Sequence, residues 1–197
     1  VYLVKIEMKP EIWYDWDNNK NQSVFENNFY NLHAPDIKED TTMDANMKKR
    51  NELLAKTVIK GLESRNMSGY YAQDKEAALK QALELIPNGS TIAMGGCMSA
   101  HEIGLVKALQ DGEYNYIDRA KLEPREGLMA AYDADFFLSS ANAATDDGVL
   151  VNIDGNSNRV SCIAQGPKKV IFIVGINKVC PDLDSAMKRA RNVAATA

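Results

Sequence analysis

Apolar and polar positions along this chain follow a period that switches repeatedly between helical and extended. In KKRNELLAKTVIKGLESRNM, residues 48–67, Leu53, Leu54, Val58, Ile59 and Leu62 recur at helical spacing, and Asn66 is placed to end the helix. Gly69 to Ala72 predicts a short strand. Asp74 then caps a second helix through the helix formers Ala77 to Glu84, and Pro87, Asn88 and Gly89 turn the chain out. STIAM, 90–94, predicts a strand running into Gly95 and Gly96. Ser99 and Glu102 have capping-box spacing and predict a helix through Leu109, punctuated by Asp111 and Gly112. YNYID, 114–118, predicts a strand, and Glu126 to Tyr132 a helix. Asp135 to Ser139 and Val170 to Val174 read as buried strands. A short helix over Arg159 to Ala164 and a last one from Leu183 to about Ala194 complete the pattern. Strands alternating with helices predict an α/β fold with a mostly parallel sheet.

Before Met43 that regularity is missing. The first 42 residues carry eight acidic residues against four lysines, are rich in Asn, and hold both tryptophans, Trp13 and Trp16. They show neither sustained helical nor strand periodicity, so 1–42 is expected to be an appendage, flexible or docked, that is dispensable for the fold. Residues 43–197 are expected to form one α/β domain. From Met43 onward acidic and basic residues balance, and the net charge of −4 with a pI near 5.3 gives no reason to expect nucleic acid. No apolar run approaches the roughly 20 residues that span a bilayer. Three scattered cysteines, Cys97, Cys162 and Cys180, form no paired framework or CxxC motif, which suits a reducing cytoplasm and argues against a metal site.

The densest candidate chemistry is ANAATDDGVLVNIDGNSNRV, 141–160, which joins two apolar runs and therefore sits at strand ends, where open α/β sheets bind ligands. Gly148 and Gly155 permit positive φ there, and the Asn and Asp side chains form turns or hold polar ligand atoms. Asp147 and Asp154 are candidate general bases, and Arg159 can hold a carboxylate bidentately. Asn142, Thr145, Asn152 and Asn158 are candidate positioning groups. The turn Gly95-Gly96 followed by Ser99 and a helix start presents amides to an anion. Glu102 projects a carboxylate toward the same place, and Lys178 supplies a positive charge at the end of the last strand. Cys97, at a helix start that lowers thiol pKa, is a lesser nucleophile candidate. Each also has a bland reading: an Asx turn for the acids, an ion pair for Arg159, a helix cap for Glu102.

The stretch 141–160, with GPKKVI at 166–171, Asn177-Lys178 and the upstream MGGCMSAHEIGL at 94–105, resembles the LUD domain, the lactate-utilisation family, from about Met43 to the C-terminus. That resemblance implies a Rossmann-like three-layer sandwich similar to the ribose-5-phosphate isomerase and CoA-transferase group. It also implies a place in bacterial L-lactate oxidation beside separate iron–sulfur subunits. Many relatives carry a Cys-rich segment past the last helix, so a C-terminal truncation at Ala197 is a further expectation left open. No cofactor is identified, and whether the chain is an enzyme stays undecided. Three functions are carried forward. The first is a protein binding a small hydroxy or keto acid, or a phosphorylated ligand, at the strand ends. The second is a non-catalytic subunit docking iron–sulfur electron-transfer partners, and the third a sugar-phosphate isomerase or acyl-transfer enzyme using Glu102. A homodimer is compatible with each.

Overall fold

The expected buried runs form the centre of the sheet. In the computed structural model, which describes residues 2–7 as backbone and residues 45–195, Phe136–Ser139 (β5) pairs parallel with Lys169–Val174 (β8). Thr91–Met94 (β3) lies parallel on the other side of β5, and the short Asn115–Tyr116 (β4) lies parallel beyond it. On the far side of β8, Tyr2–Glu7 (β1) pairs antiparallel with β8 and with Ser68–Tyr71 (β2). The full order is β2-β1-β8-β5-β3-β4. A strand therefore forms where no strand periodicity was read. The remainder of the expected appendage, 8–42, lies outside the described residues.

Because strand side chains alternate between faces, each strand feeds two cores. Ile92, Phe136, Leu138, Ile171 and Ile173 pack with Ala78 and Ala82 of Lys75–Leu85 (α2), Ala100 of Met98–Glu102 (α3), and Leu105 and Leu109 of Leu105–Asp111 (α4). Their neighbours Ala93, Phe137, Val170, Phe172 and Val174 face the opposite way. They pack with Ala55, Val58 and Leu62 of Ala45–Glu63 (α1), Ala131 of Pro124–Tyr132 (α5) and Cys162 of Asn158–Ala164 (α6). Helices on both faces of a mostly parallel sheet make the Rossmann-like, three-layer α/β architecture expected of the sequence.

Local signals hold at several boundaries. Asp74 accepts from the Ala77 amide at 2.7 Å as the N-cap of α2, and Asn66 adopts φ +60° after α1. Other expectations are corrected. The Ser99–Glu102 capping box does not form: helix begins at Met98, placing both residues inside α3, and Cys97 at the N-cap makes no side-chain cap bond. Nor does that helix run through Leu109, because Gly104 at φ +76° breaks it into α3 and α4. YNYID contributes only the two residues of β4. The polar stretch also holds two short strands, Ala143–Thr145 (β6) and Leu150–Val151 (β7), which form a second sheet with Val179–Cys180 (β9) in the order β7-β6-β9. Runs of two or three residues are too short to show a period. Leu183–Arg189 (α7) covers this sheet through Ala186 and continues as a π-turn over Ala190–Ala194.

Candidate functional site

Three parallel strands end side by side. β3 runs into Gly95-Gly96, β5 into Ser140, and β8 into Gly175 and a 3₁₀ turn at Ile176–Lys178. Across these ends lies Arg159, from the start of α6. Its Nη1 donates to the Ser140 carbonyl and to Asn152 Oδ1, both at 2.8 Å, and its Nη2 to Asn142 Oδ1 and the Ile153 carbonyl, both at 2.9 Å. A Cβ on Gly95 would stand 2.9 Å from Arg159 Cγ, so glycine is needed there to let the arginine stem pass. Arg159, Asn142 and Asn152 thus meet as expected, yet the guanidinium fork is filled by neutral acceptors of its own chain. It ties the end of β5 to the loop before α6, a strut in place of a bidentate ligand clamp.

Asp154 organises the same loop. Its carboxylate accepts from the amides of Asn156, Arg159 and Val160 at 3.3, 2.8 and 3.1 Å. Burial pushes its pKa up, but these amides and the nearby Arg159 outweigh that and hold it below the usual aspartate range. A carboxylate stabilised in its ionised form is a weak base, and its bonds are those of a cap for α6. Gly155 does not take the positive φ expected of it; Ser157 does, at +59°.

Thr145, Asp147 and Gly148 form the other end of the β6–β7 hairpin, and their contacts run to α1. Asp147 accepts from the Thr145 hydroxyl and pairs with Arg65 at 2.8 Å. Gly148, at φ +88°, sits against Gly61, where a Cβ would lie 2.3 Å from the Gly61 carbonyl carbon. The Thr145 hydroxyl and the Arg65 guanidinium keep the Asp147 carboxyl below its ordinary range. This group fastens the hairpin to the helix.

Just after the Gly95-Gly96 turn come Cys97 and Glu102, which interact electrostatically with Lys178. Lys178 Nζ donates to Ser140 Oγ at 2.8 Å, and no carboxylate pairs with it among the described residues. Burial lowers its pKa, partly offset by the neighbouring Cys97. The Cys97 thiol is 3% exposed, and burial pushes it up to about 11, against the pull of the Ala100 amide, Lys178 and Arg159. The expected lowering at a helix start is overturned, because α3 is only five residues long and the sulfur is dry. Glu102 is exposed and acts electrostatically on both Cys97 and Lys178. Ser99 lies one turn earlier on α3.

Beside the Gly95-Gly96 turn opens a cleft of about 720 Å³. Gly95, Gly96, Asn158 and Arg159 line it, joined by Asn156. Two further arginines were missed, Arg119 and Arg125, together with the apolar wall of Leu122, Pro124 and Leu128. Arg119 opens the 3₁₀ turn Arg119–Lys121 just past β4, and Arg125 stands in the first turn of α5. The strand-end rule that singles out 141–160 applies equally to DRAKLEPREG, 118–127, where three acidic and three basic residues balance and leave no net charge to mark it. Among the described residues no carboxylate lines this cleft. Among the described residues no group of three His, Cys, Asp or Glu side chains could hold a metal ion, and no helix is long and apolar enough to cross a membrane.

A family model described as the LUD domain matches residues 55–197, which include every residue of this strand-end constellation. No curated protein and no solved structure matches the chain.

Proposed function

This chain belongs to the LUD domain family, and from that premise we propose that it binds a small organic anion, a hydroxy or keto acid or a phosphorylated compound, in lactate utilisation. The observation that carries the reading is the cleft itself. Three arginines line about 720 Å³ at the C-terminal ends of parallel strands, with no acidic side chain among the described residues that line it. The guanidinium groups of Arg119 and Arg125, which form no ion pair among the described residues, favour an anionic guest through charge-assisted hydrogen bonds.

Next to this cleft stand the groups best suited to proton transfer. Desolvation disfavours the ammonium form of Lys178, which brings the amine nearer to exchanging a proton at neutral pH, and the Ser140 hydroxyl at 2.8 Å offers a relay. Glu102 adds a carboxylate free of any capping duty. In this reading Arg119 and Arg125 bind, Lys178 and Glu102 move protons or balance charge, and Arg159, Asp154 and the Thr145–Gly148 hairpin hold the frame.

Calorimetric titration of the full chain with L-lactate, pyruvate and a phosphate ester tests it. Saturable binding of at least one of them is expected, weakened about tenfold in Arg125→Gln, the loss of one charge-assisted contact worth about 1.4 kcal/mol. Arg125 is exposed, so this variant folds. Absence of binding by every compound at millimolar concentration, or identical affinity in Arg125→Gln, refutes the proposal.

A further inference from the structure

We infer that the cleft recognises a phosphate monoester carrying an organic body, and that Arg119 is the residue that selects it; this rests on the anion-binding reading above. Arg119 is held in an unusual state. Its backbone is fixed by the 3₁₀ turn, where the Asp118 carboxylate accepts from the Ala120 amide at 3.2 Å and pairs with Lys121 at 3.2 Å instead of with Arg119. Its stem lies against Gly127 of α5. Its Nη1 reaches the Met94 carbonyl only at 3.4 Å, and its Nε is buried without a hydrogen-bond partner. The Arg119 guanidinium, half-buried at the wall of the cleft and engaged among the described residues only through one long contact, is a donor set waiting for an acceptor.

The number of unfilled donors separates phosphate from carboxylate. Both Nη groups of Arg159 already have their acceptors, so the guest meets Arg119 and Arg125, two forks with no carboxylate among the described residues that line the cleft. A phosphate monoester brings three acceptor oxygens and a charge of about −1.5 to −2 at neutral pH, enough to engage both forks at once. A monocarboxylate brings two oxygens and one charge, and leaves one arginine uncompensated. Size excludes the bare ion as the intended guest. A cleft of about 720 Å³ lies within the range that encloses whole organic ligands. Leu122, Pro124 and Leu128 give the body an apolar wall, and the Asn156 and Asn158 amides stand where hydroxyl groups would be read.

Titrating the full chain with glycerol 3-phosphate, ribose 5-phosphate, inorganic phosphate and L-lactate decides the matter. At least one ester is expected to bind about tenfold or more tightly than both L-lactate and inorganic phosphate. Arg119→Lys, which keeps the charge but removes Nε and the fork, is expected to lose about tenfold in ester affinity with L-lactate little changed. A second readout needs no variant: phenylglyoxal footprinting of the unaltered chain, where the ester is expected to protect Arg119 and Arg125 and leave Arg50 on α1 reactive. Binding of L-lactate without the esters overturns the phosphate inference while the anion-site reading survives, whereas binding of no anion defeats both. Inorganic phosphate equal to the esters overturns the organic body. Ester affinity unchanged in Arg119→Lys, with Arg119 unprotected, overturns the role of Arg119.

Discussion

Replacing Arg159 with methionine separates a strut from a ligand clamp. Methionine keeps an aliphatic stem to fill the passage beside Gly95 and removes only the fork. Four hydrogen bonds at 2.8–2.9 Å then disappear, which removes the guanidinium donor from the Ser140 and Ile153 carbonyls and Asn152 Oδ1 and leaves Asn142 Oδ1 with the Ile153 amide alone. At about 1 kcal/mol net for each, and with water able to reach part of a half-buried site, the cost is about 2–4 kcal/mol. For a chain of this size that lowers Tm by about 5–15 °C. Guanidinium-chloride unfolding followed by circular dichroism measures the free energy, with an unchanged m-value showing that the change lies in the native state. A Tm within about 2 °C of the parent, combined with loss of ligand affinity, refutes the reasoning and returns Arg159 to the ligand.

Four other outcomes follow from the same geometry. Gly148→Ala, which forces a Cβ to 2.3 Å from the Gly61 carbonyl carbon at φ +88°, is expected to destabilise by more than about 2 kcal/mol. Gly96→Ala, with no heavy atom within 4 Å of the new Cβ, should stay within about 0.5 kcal/mol in the same melts. Asp154→Asn is expected to cost about 1–2 kcal/mol at neutral pH by weakening the cap of α6. Because the folded pKa of Asp154 is depressed, its contribution is present above the unfolded carboxyl pKa and lost as pH falls through the folded value, so the gap between variant and parent should close in acid. A gap that persists unchanged from neutral pH to about pH 2 contradicts this. Cys97, with its thiol near 11 and dry, should resist Ellman's reagent at pH 8 until the chain is unfolded, and rapid native labelling mapped to Cys97 would overturn that assignment.

What local sequence could determine here, it determined well. The unbroken apolar runs FFL and VIFIV are enough to specify strands with an apolar side chain on each face, and hence helices on both. Asp74 caps and Asn66 terminates because those effects act within three or four residues. The polar stretch 141–160 was legible as lying at strand ends for the same reason, since the strands on either side announce themselves.

The division of labour within that stretch was decided by tertiary structure. Capping-box spacing at Ser99 and Glu102 is a local option that lost to a helix beginning at Met98 and broken at Gly104. Arg159 can bind a carboxylate or bridge a frame, and its partners, Ser140 and Asn142 among them, are up to 19 positions away. Asp147 became a fastening because Arg65, 82 positions earlier, reaches it. Arg119 and Arg125 joined the cleft only when β4 and α5 packed beside β3. Side-chain chemistry states what a residue can donate or accept, but the partner that takes the bond is chosen by which distant segments the fold brings within about 3 Å.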